Sequence, residues 1–170
     1  MIFELSEKTK RTLESIAKEF KSIGVDYVGH FVRSGEKETV FFSHKEWHDL
    51  YVNQGVKAMD PYTNFALSSK SSFFMWDHVP LKDKESQEIV KKRSDLCHIG
   101  AGMTFYSKFQ NTEHIFALAS SKNDDMSDFI KDENIFKQVI HLKSEMIKEH
   151  SKDHELKEKD SSVSIPRERS

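Results

Sequence analysis

The spacing of apolar positions along the chain predicts alternating helices and strands. Apolar residues recur at helical spacing in segments that we predict as helices over residues 6–23, 45–54, 61–69, 82–97 and 129–149. Shorter segments rich in aromatic and β-branched residues predict strands over residues 25–32, 38–42, 73–76, 102–109 and 113–120. Turn residues join the first two strands and the last two into hairpins. The expected fold is therefore of the α/β class, an α/β/α sandwich with a mostly antiparallel sheet of about five strands flanked by helices.

Composition and charge narrow the class of protein. The chain has 170 residues and a net charge of -2, which provides no basic surface for nucleic acid. The single cysteine, Cys97, allows no internal disulfide and fits a reducing compartment. There is no signal peptide after Met1, and no apolar run approaches the roughly 20 residues of a membrane span. We expect a cytoplasmic protein with no membrane partner.

The end of the chain differs in composition from the rest. Residues 151–162 are almost all charged or small, which predicts a solvated linker rather than a packed element. We therefore expect one folded domain over residues 1–150 and a charged linker over residues 151–170.

Candidate ligand-binding residues concentrate between the two tryptophans, Trp47 and Trp76. Trp47 and Tyr51 share one face of a predicted helix, and Asp60-Pro61 has the cap and first-turn residues that begin the next helix. A carboxylate among so many aromatic residues requires hydrogen-bond donors if it is buried. The alternative interpretation is that Asp60 only caps a helix and the aromatic residues only form core.

The order of these residues resembles the autoinducer-binding domain of LuxR-type quorum-sensing transcription regulators, over roughly residues 5 to 150. The resemblance implies that the Trp47 indole N–H donates to the lactone carbonyl of an acyl-homoserine lactone. It also implies that Asp60 accepts from the ligand's amide N–H and that Tyr51 packs on the acyl chain. The full set of ligand-binding positions that we predict from this resemblance is Trp47, Tyr51, Asp60, Pro61, Trp76, Tyr62, Gly102, Thr104, Ser43 and Ala117.

Two positions depart from the family's pattern. Ser43 stands where the family usually has a tyrosine, and Ala117 stands where it often has Ser or Thr. Both family residues bond the ligand's amide carbonyl. We therefore expect weak or atypical binding of common acyl-homoserine lactones, unless Tyr62 or Thr104 supplies the missing contact.

The resemblance also implies partners. Residues 163–168 resemble the first turn of the helix-turn-helix domain that follows the sensor, so DNA binding is expected only through that domain, which is absent from this chain after Ser170. The predicted helix from Phe129 to Glu149 has a long apolar side, from which we expect a homodimer. An alternative function is a headless LuxR-like protein that inhibits full-length regulators by pairing with them.

The sequence pattern supports neither a metal site nor a catalytic site. His44 and His48 are spaced to share a metal ion, but no third ligand is placed beside them. Cys97 is interpreted as a small apolar core residue, and no acid–base pair is recognisable. We therefore predict no enzyme activity, no metal and no cofactor, with the signal molecule as the ligand.

Overall fold

A six-stranded sheet forms the middle of the molecule in the computed structural model, which describes residues 2–121 and 130–163. The strands are β1 (Ile2–Phe3), β2 (Tyr27–Ser34), β3 (Lys37–Phe42), β4 (Phe73–Met75), β5 (Gly102–Phe109) and β6 (Thr112–Ala119). Their order across the sheet is β1-β3-β2-β6-β5-β4. All neighbours pair antiparallel except β1 and β3, which are parallel. The predicted α/β class and mostly antiparallel sheet are confirmed, with β1 as an additional edge strand.

Helices cover both faces of the sheet. They are α1 (Glu7–Ser22), α2 (Lys45–Asn53), α3 (Pro61–Ser69), α4 (Lys84–Cys97) and α5 (Glu133–Val163), with short 3-10 turns at Val56–Met59 and Trp76–His78. Three of these helices begin at a side-chain cap. Ser6, Asp60 and Asp83 each accept a hydrogen bond from a backbone N–H in the first turn of the helix that follows. The helix boundaries therefore follow local sequence signals.

Alternation of side chains across the strands creates two hydrophobic cores. The first lies between the sheet and α2, α3 and α4, and it contains both tryptophans. The second lies between the other face of the sheet and α1 and α5. Val139 and Met146 of α5 are fully buried in this second core. Much of the apolar side of α5 is therefore used within the domain, so a dimer interface needs other residues of this helix.

Helix α5 is longer than the sequence predicts. It continues to Val163, so the segment predicted as a solvated linker from Ser151 is helical through that residue. The physical reason is that His150, Asp153 and His154 are buried. Asp153 Oδ2 accepts from the backbone N–H of Ser6 at 3.0 Å, which ties α5 to the start of α1. The predicted start of the helix at Phe129 and the motif over residues 164–168 lie outside the described residues, and the division into two domains stays a prediction.

A network of buried histidines joins α5 to the sheet. The Thr39 hydroxyl lies 2.7 Å from His150 Nε2 and 2.9 Å from His154 Nδ1. His150 Nδ1 lies 2.8 Å from His30 Nδ1, and His30 Nε2 lies 3.2 Å from His114 Nδ1. Burial lowers the pKa of His114 to about 4 and that of His150 to about 3, and it holds the pKa of His30 well below its usual value. The rings of His30, His114 and His150 are therefore neutral hydrogen-bonding groups at pH 7.

The described residues form neither a metal-binding cluster nor a membrane-spanning helix. Within residues 2–121 and 130–163, no group of three or more His, Cys, Asp or Glu side chains is arranged to hold a metal ion. None of the helices in these same ranges combines the length and hydropathy of a membrane span. His44 and His48 do not converge on a third ligand.

Candidate functional site

A pocket lies between the sheet and the layer formed by α2, α3 and α4. Its lining residues are mostly aromatic or apolar and are contributed by β2, β3, β5, β6 and the helical layer: Tyr27, Gly29, His30, Phe31, Phe42, Tyr51, Asp60, Tyr62, Thr63, Trp76, Arg93, Thr104, Ile115 and Ala117. The pocket volume is about 30 Å³. Such a volume holds roughly two water-sized groups. In this conformation the pocket is therefore nearly filled by its own side chains.

Asp60 is the acidic centre of the site and is fully engaged with donors. It precedes α3, and its Oδ1 accepts from the Tyr62 backbone N–H at 3.1 Å. Its Oδ2 accepts from the Thr63 hydroxyl at 2.9 Å and from Arg93 Nη2 at 2.5 Å. The Asp60 and Arg93 side chains are each 4% exposed. Asp60 therefore does more than cap a helix, because it neutralises a buried cation.

Arg93 reaches this position from α4 and is surrounded by aromatic rings. Its guanidinium carbon lies 4.7 Å from the Trp47 ring centroid, 5.3 Å from that of Tyr62 and 5.5 Å from that of Trp76. Burial opposes its charge, but the Asp60 carboxylate together with the Tyr27 and Tyr51 hydroxyls outweighs this effect and raises the pKa of Arg93 above its ordinary value. The guanidinium is therefore permanently charged.

Three buried nitrogens at the site have no hydrogen-bond acceptor among the described residues. They are Trp47 Nε1 and Arg93 Nε and Nη1. Burial raises the pKa of the neighbouring Tyr27 hydroxyl and the Trp47 N–H opposes that rise, yet the two groups do not meet hydrogen-bond geometry. An unpaired buried donor costs about 1–3 kcal/mol. Such groups in a native fold need an explanation, and an acceptor on a bound ligand or an ordered water molecule is one.

The aromatic residues around Arg93 are held in fixed positions. The Trp76 indole N–H donates to the Thr104 hydroxyl at 2.9 Å, and its ring stacks on Tyr62 with centroids 4.5 Å apart. The Tyr51 and Thr63 hydroxyls are 3.1 Å apart. A Cβ atom added at Gly102 would lie 2.4 Å from the Trp76 ring, closer than real contacts allow. Glycine at this position therefore permits Trp76 to lie against β5.

The structure brings together most of the predicted site residues. Tyr51, Asp60, Tyr62, Trp76, Thr104 and Ala117 line the pocket. Trp47 is completely buried and contacts Arg93, but it lies outside the lining, as do Gly102 behind Trp76 and Pro61 in the first turn of α3. Their roles toward a ligand remain proposals.

Ser43 is the predicted residue that lies apart from the pocket. Its hydroxyl accepts from the Val28 backbone N–H at 2.9 Å and lies 3.0 Å from His44 Nδ1. It lines a separate groove between α1 and α2. The Ser43 hydroxyl is therefore occupied by the sheet in this conformation.

Arg93 is not among the predicted site residues, although the sequence contains a signal for it. Ile89, Arg93 and Cys97 are spaced four residues apart, and all three are buried on the same side of α4. A charged residue in the middle of a buried stripe requires a partner of opposite charge. The burial of Cys97 raises its pKa to about 12, which fits a core residue and not a nucleophile.

Comparison with known proteins identifies the family. Residues 8–142 match the family model of the autoinducer binding domain. No curated protein matches the chain by sequence. Among solved structures, the fold is similar to that of CepR2 from Burkholderia cenocepacia, an N-acylhomoserine lactone dependent LuxR family transcription factor. The two share 14% identity with a TM-score of 0.59, over 79% of this chain and 81% of that one.

Two further solved structures share the fold. Escherichia coli SdiA has 16% identity and a TM-score of 0.58, over 84% of this chain but only 61% of that one. The VqsR ligand-binding domain from Pseudomonas aeruginosa has 15% identity and a TM-score of 0.56, over 82% of this chain and 94% of that one. Domains of this family bind small signal molecules as ligands and are not enzymes. The match over residues 8–142 means that the chain belongs to the autoinducer-binding domain family of LuxR-type transcription regulators.

Proposed function

We propose that the chain is the sensor of a LuxR-type regulator and binds an acyl-homoserine lactone or a related small signal molecule in the pocket beside Asp60 and Arg93. The observation that supports this most is the set of unpaired N–H groups on Arg93 and Trp47, buried inside an aromatic enclosure. Ligand pockets are typically apolar with a few placed polar groups, and this site has that composition. Binding would control transcription through a separate DNA-binding domain.

Five of the predicted residues have a proposed role at this pocket. Trp47 and Asp60 mark the polar end, where the unpaired donors and the ion pair lie. Tyr51 and Trp76 supply apolar surface for an acyl chain. Ala117 lies on β6, where its small side chain leaves space at the sheet.

Binding requires the pocket to open. Its volume of about 30 Å³ is far below the roughly 300 Å³ at which ligand pockets begin. Side chains that line the pocket must therefore move when a ligand enters. A ligand that favours the open arrangement shifts the population toward it, which is how a signal could be transmitted to the rest of a regulator.

The first test measures thermal stability of the unmodified chain with a panel of candidate ligands. CepR2 is described as dependent on N-acylhomoserine lactone, and SdiA is solved with octanoyl-rac-glycerol, so both kinds of compound belong in the panel. At a ligand concentration near 100 times Kd, we expect about 2.7 kcal/mol of stabilisation, or several degrees in Tm.

A matched pair of variants locates the binding site. Trp47→Phe keeps an aromatic ring and deletes the unpaired N–H, so it should weaken ligand-induced stabilisation. Phe109→Leu is the control, because Phe109 is 72% exposed at the tip of a hairpin. Equal ligand responses in both variants would argue against a site beside Trp47, and no response to any compound would contradict the proposed function.

We also propose a homodimer through α5, using residues that the fold leaves accessible. Phe136 and Ile140 lie one turn apart on this helix and are only partly buried, whereas Val139 belongs to the core. A two-fold axis would bring the same patch of each copy together. Dimerisation of this kind fixes the spacing of paired DNA-binding domains.

Light scattering at several protein concentrations tests the dimer. Ile140→Glu places a charge in the proposed contact and should yield a folded monomer, with an unchanged circular dichroism spectrum and a Tm that no longer depends on protein concentration. Gln138→Glu introduces the same residue at an exposed position of the same turn and should remain dimeric. A monomeric unmodified protein at tens of micromolar would contradict the proposal.

A further inference from the structure

We propose, building on the ligand-sensing function above, that Arg93 takes the place of a ligand's N–H donor at Asp60 and that the signal molecule has an uncharged, acceptor-only polar end. Ester, ketone or lactone carbonyls meet that description, and an amide N–H is not needed. Arg93 thereby sets the specificity of the pocket.

The first support is that Asp60 has no oxygen left without a donor. Oδ1 receives the Tyr62 backbone N–H, and Oδ2 receives both the Thr63 hydroxyl and Arg93 Nη2. An amide N–H from a ligand would have to share Oδ1 with the Tyr62 N–H, or compete at Oδ2 with a hydroxyl and a charged guanidinium. Displacement would leave a buried arginine without its counter-ion, which is unfavourable. A ligand that brings no N–H avoids this conflict.

The second support is that Arg93 still has N–H donors without an acceptor in the part of the chain that the structure describes, and these are buried rather than facing bulk solvent. A guanidinium has five N–H groups, and those on Arg93 Nε and Nη1 have no acceptor among the described residues. Arg93 lines the pocket and is 3% exposed, so these groups are available to a bound molecule and not to bulk solvent. Carbonyl oxygens are the complementary partners. The pocket volume of about 30 Å³ beside Arg93 already accommodates an atom of that size.

The third support is charge balance. Asp60 and Arg93 form a buried pair with no net charge. Among the residues described as lining the pocket, these two are the formally charged ones at neutral pH, since the pKa of His30 lies well below its ordinary value through burial. A carboxylate ligand would add a buried negative charge with no further cation to compensate it. The polar end is therefore an uncharged acceptor.

The experiment compares two ligands that differ only at one atom. One is an N-acyl-homoserine lactone, and the other is its ester analogue of equal chain length, in which oxygen replaces the amide N–H. Calorimetric titration of the full chain should give a Kd about tenfold lower for the ester. The corresponding free fatty acid should bind more weakly than the ester.

A variant of Arg93 tests whether this residue causes the preference for the ester over the amide. Arg93→Met keeps side-chain length and frees the Asp60 carboxylate, so the preference should reverse toward the amide by about tenfold. Lys92→Met removes a cation from the exposed side of the same helix turn and should leave the preference for the ester unchanged. Circular dichroism and melting curves establish which variants are folded before titration.

The outcomes separate this inference from the function on which it rests. If neither ligand nor the fatty acid binds and the panel above also gives no response, the proposed function and the inference both fail; if another compound of that panel binds and the ester does not, the inference fails alone. If the unmodified chain binds the amide more tightly than the ester, or the fatty acid more tightly than either, the inference fails while the sensing function stands. The comparison on the unmodified chain decides the matter even if Arg93→Met does not fold.

Discussion

Replacing Asp60 with alanine should destabilise the fold by about 3–5 kcal/mol, in addition to any effect on a ligand. The change leaves the Arg93 guanidinium charged in the core with no counter-ion, and it removes the cap of α3. The aromatic rings around Arg93 cannot replace a carboxylate as hydrogen-bond acceptors. Urea unfolding followed by circular dichroism at pH 7 measures the loss.

Three further variants separate the contributions to this effect. Asp60→Asn keeps an acceptor for the Tyr62 N–H and deletes the charge, so it should have a smaller effect than alanine. The double variant Asp60→Ala with Arg93→Met removes both charges and should recover part of the stability. Asp49→Ala is the matched control, since Asp49 pairs with Lys45 at the surface and should matter little. An equal response of Asp60→Ala and Asp49→Ala would refute the argument.

Lowering the pH from 7 to 5 should destabilise the domain by several kcal/mol. His30, His114 and His150 are buried, and burial lowers each pKa in the fold, to about 4 for His114 and about 3 for His150. In the unfolded chain each titrates near pH 6.5. Below that pH the unfolded state binds more protons, so stability is full above about pH 6.5 and falls as the pH decreases. At pH 5 the loss is on the order of 2 kcal/mol for each histidine.

Groups around these buried histidines further disfavour their protonation in the folded state. Lys143 of α5 and the other histidines disfavour a positive charge on His30, and Lys143 and His154 do so on His114. His150→Gln removes one titrating ring and should reduce the pH dependence by about a third, taking three equivalent groups. His141→Gln is the control, because His141 is exposed on the same helix. An identical pH dependence in all three proteins, measured by urea midpoints, would exclude the network as its source.

The local pattern of the sequence predicts most of the fold. The helix at Pro61 and the strand at Gly102 begin where predicted, because cap residues and periodicity act over a few residues. Strand β1 has two residues, too few for a periodic signal. The continuation of α5 past Glu149 was not predicted, because charged composition suggests solvation and does not reveal that Asp153 meets the Ser6 N–H. That contact joins opposite ends of the chain.

The residues of the candidate site were also predictable from the sequence only in part. Asp60 and the two tryptophans could be selected from one short stretch and its family resemblance. Arg93 could not be paired with Asp60 by spacing, because the two residues are separated by 33 positions and lie on different helices. Only the packing of α4 against α3 brings them into contact. The residue with the largest influence on the proposed ligand specificity is therefore one that a local pattern does not identify.

The length of α5 determines where sensors of this type can be exchanged between regulators. The family match ends at residue 142, and the change in composition begins at residue 151. A hybrid protein joined at either point would lose His154 and Asp153, and with them one of the two histidine partners of Thr39 and the partner of the Ser6 N–H. A junction after Val163 retains every one of these contacts. With a rise of 1.5 Å per residue, it also places the foreign domain roughly 14 Å beyond His154, the last of these contact residues.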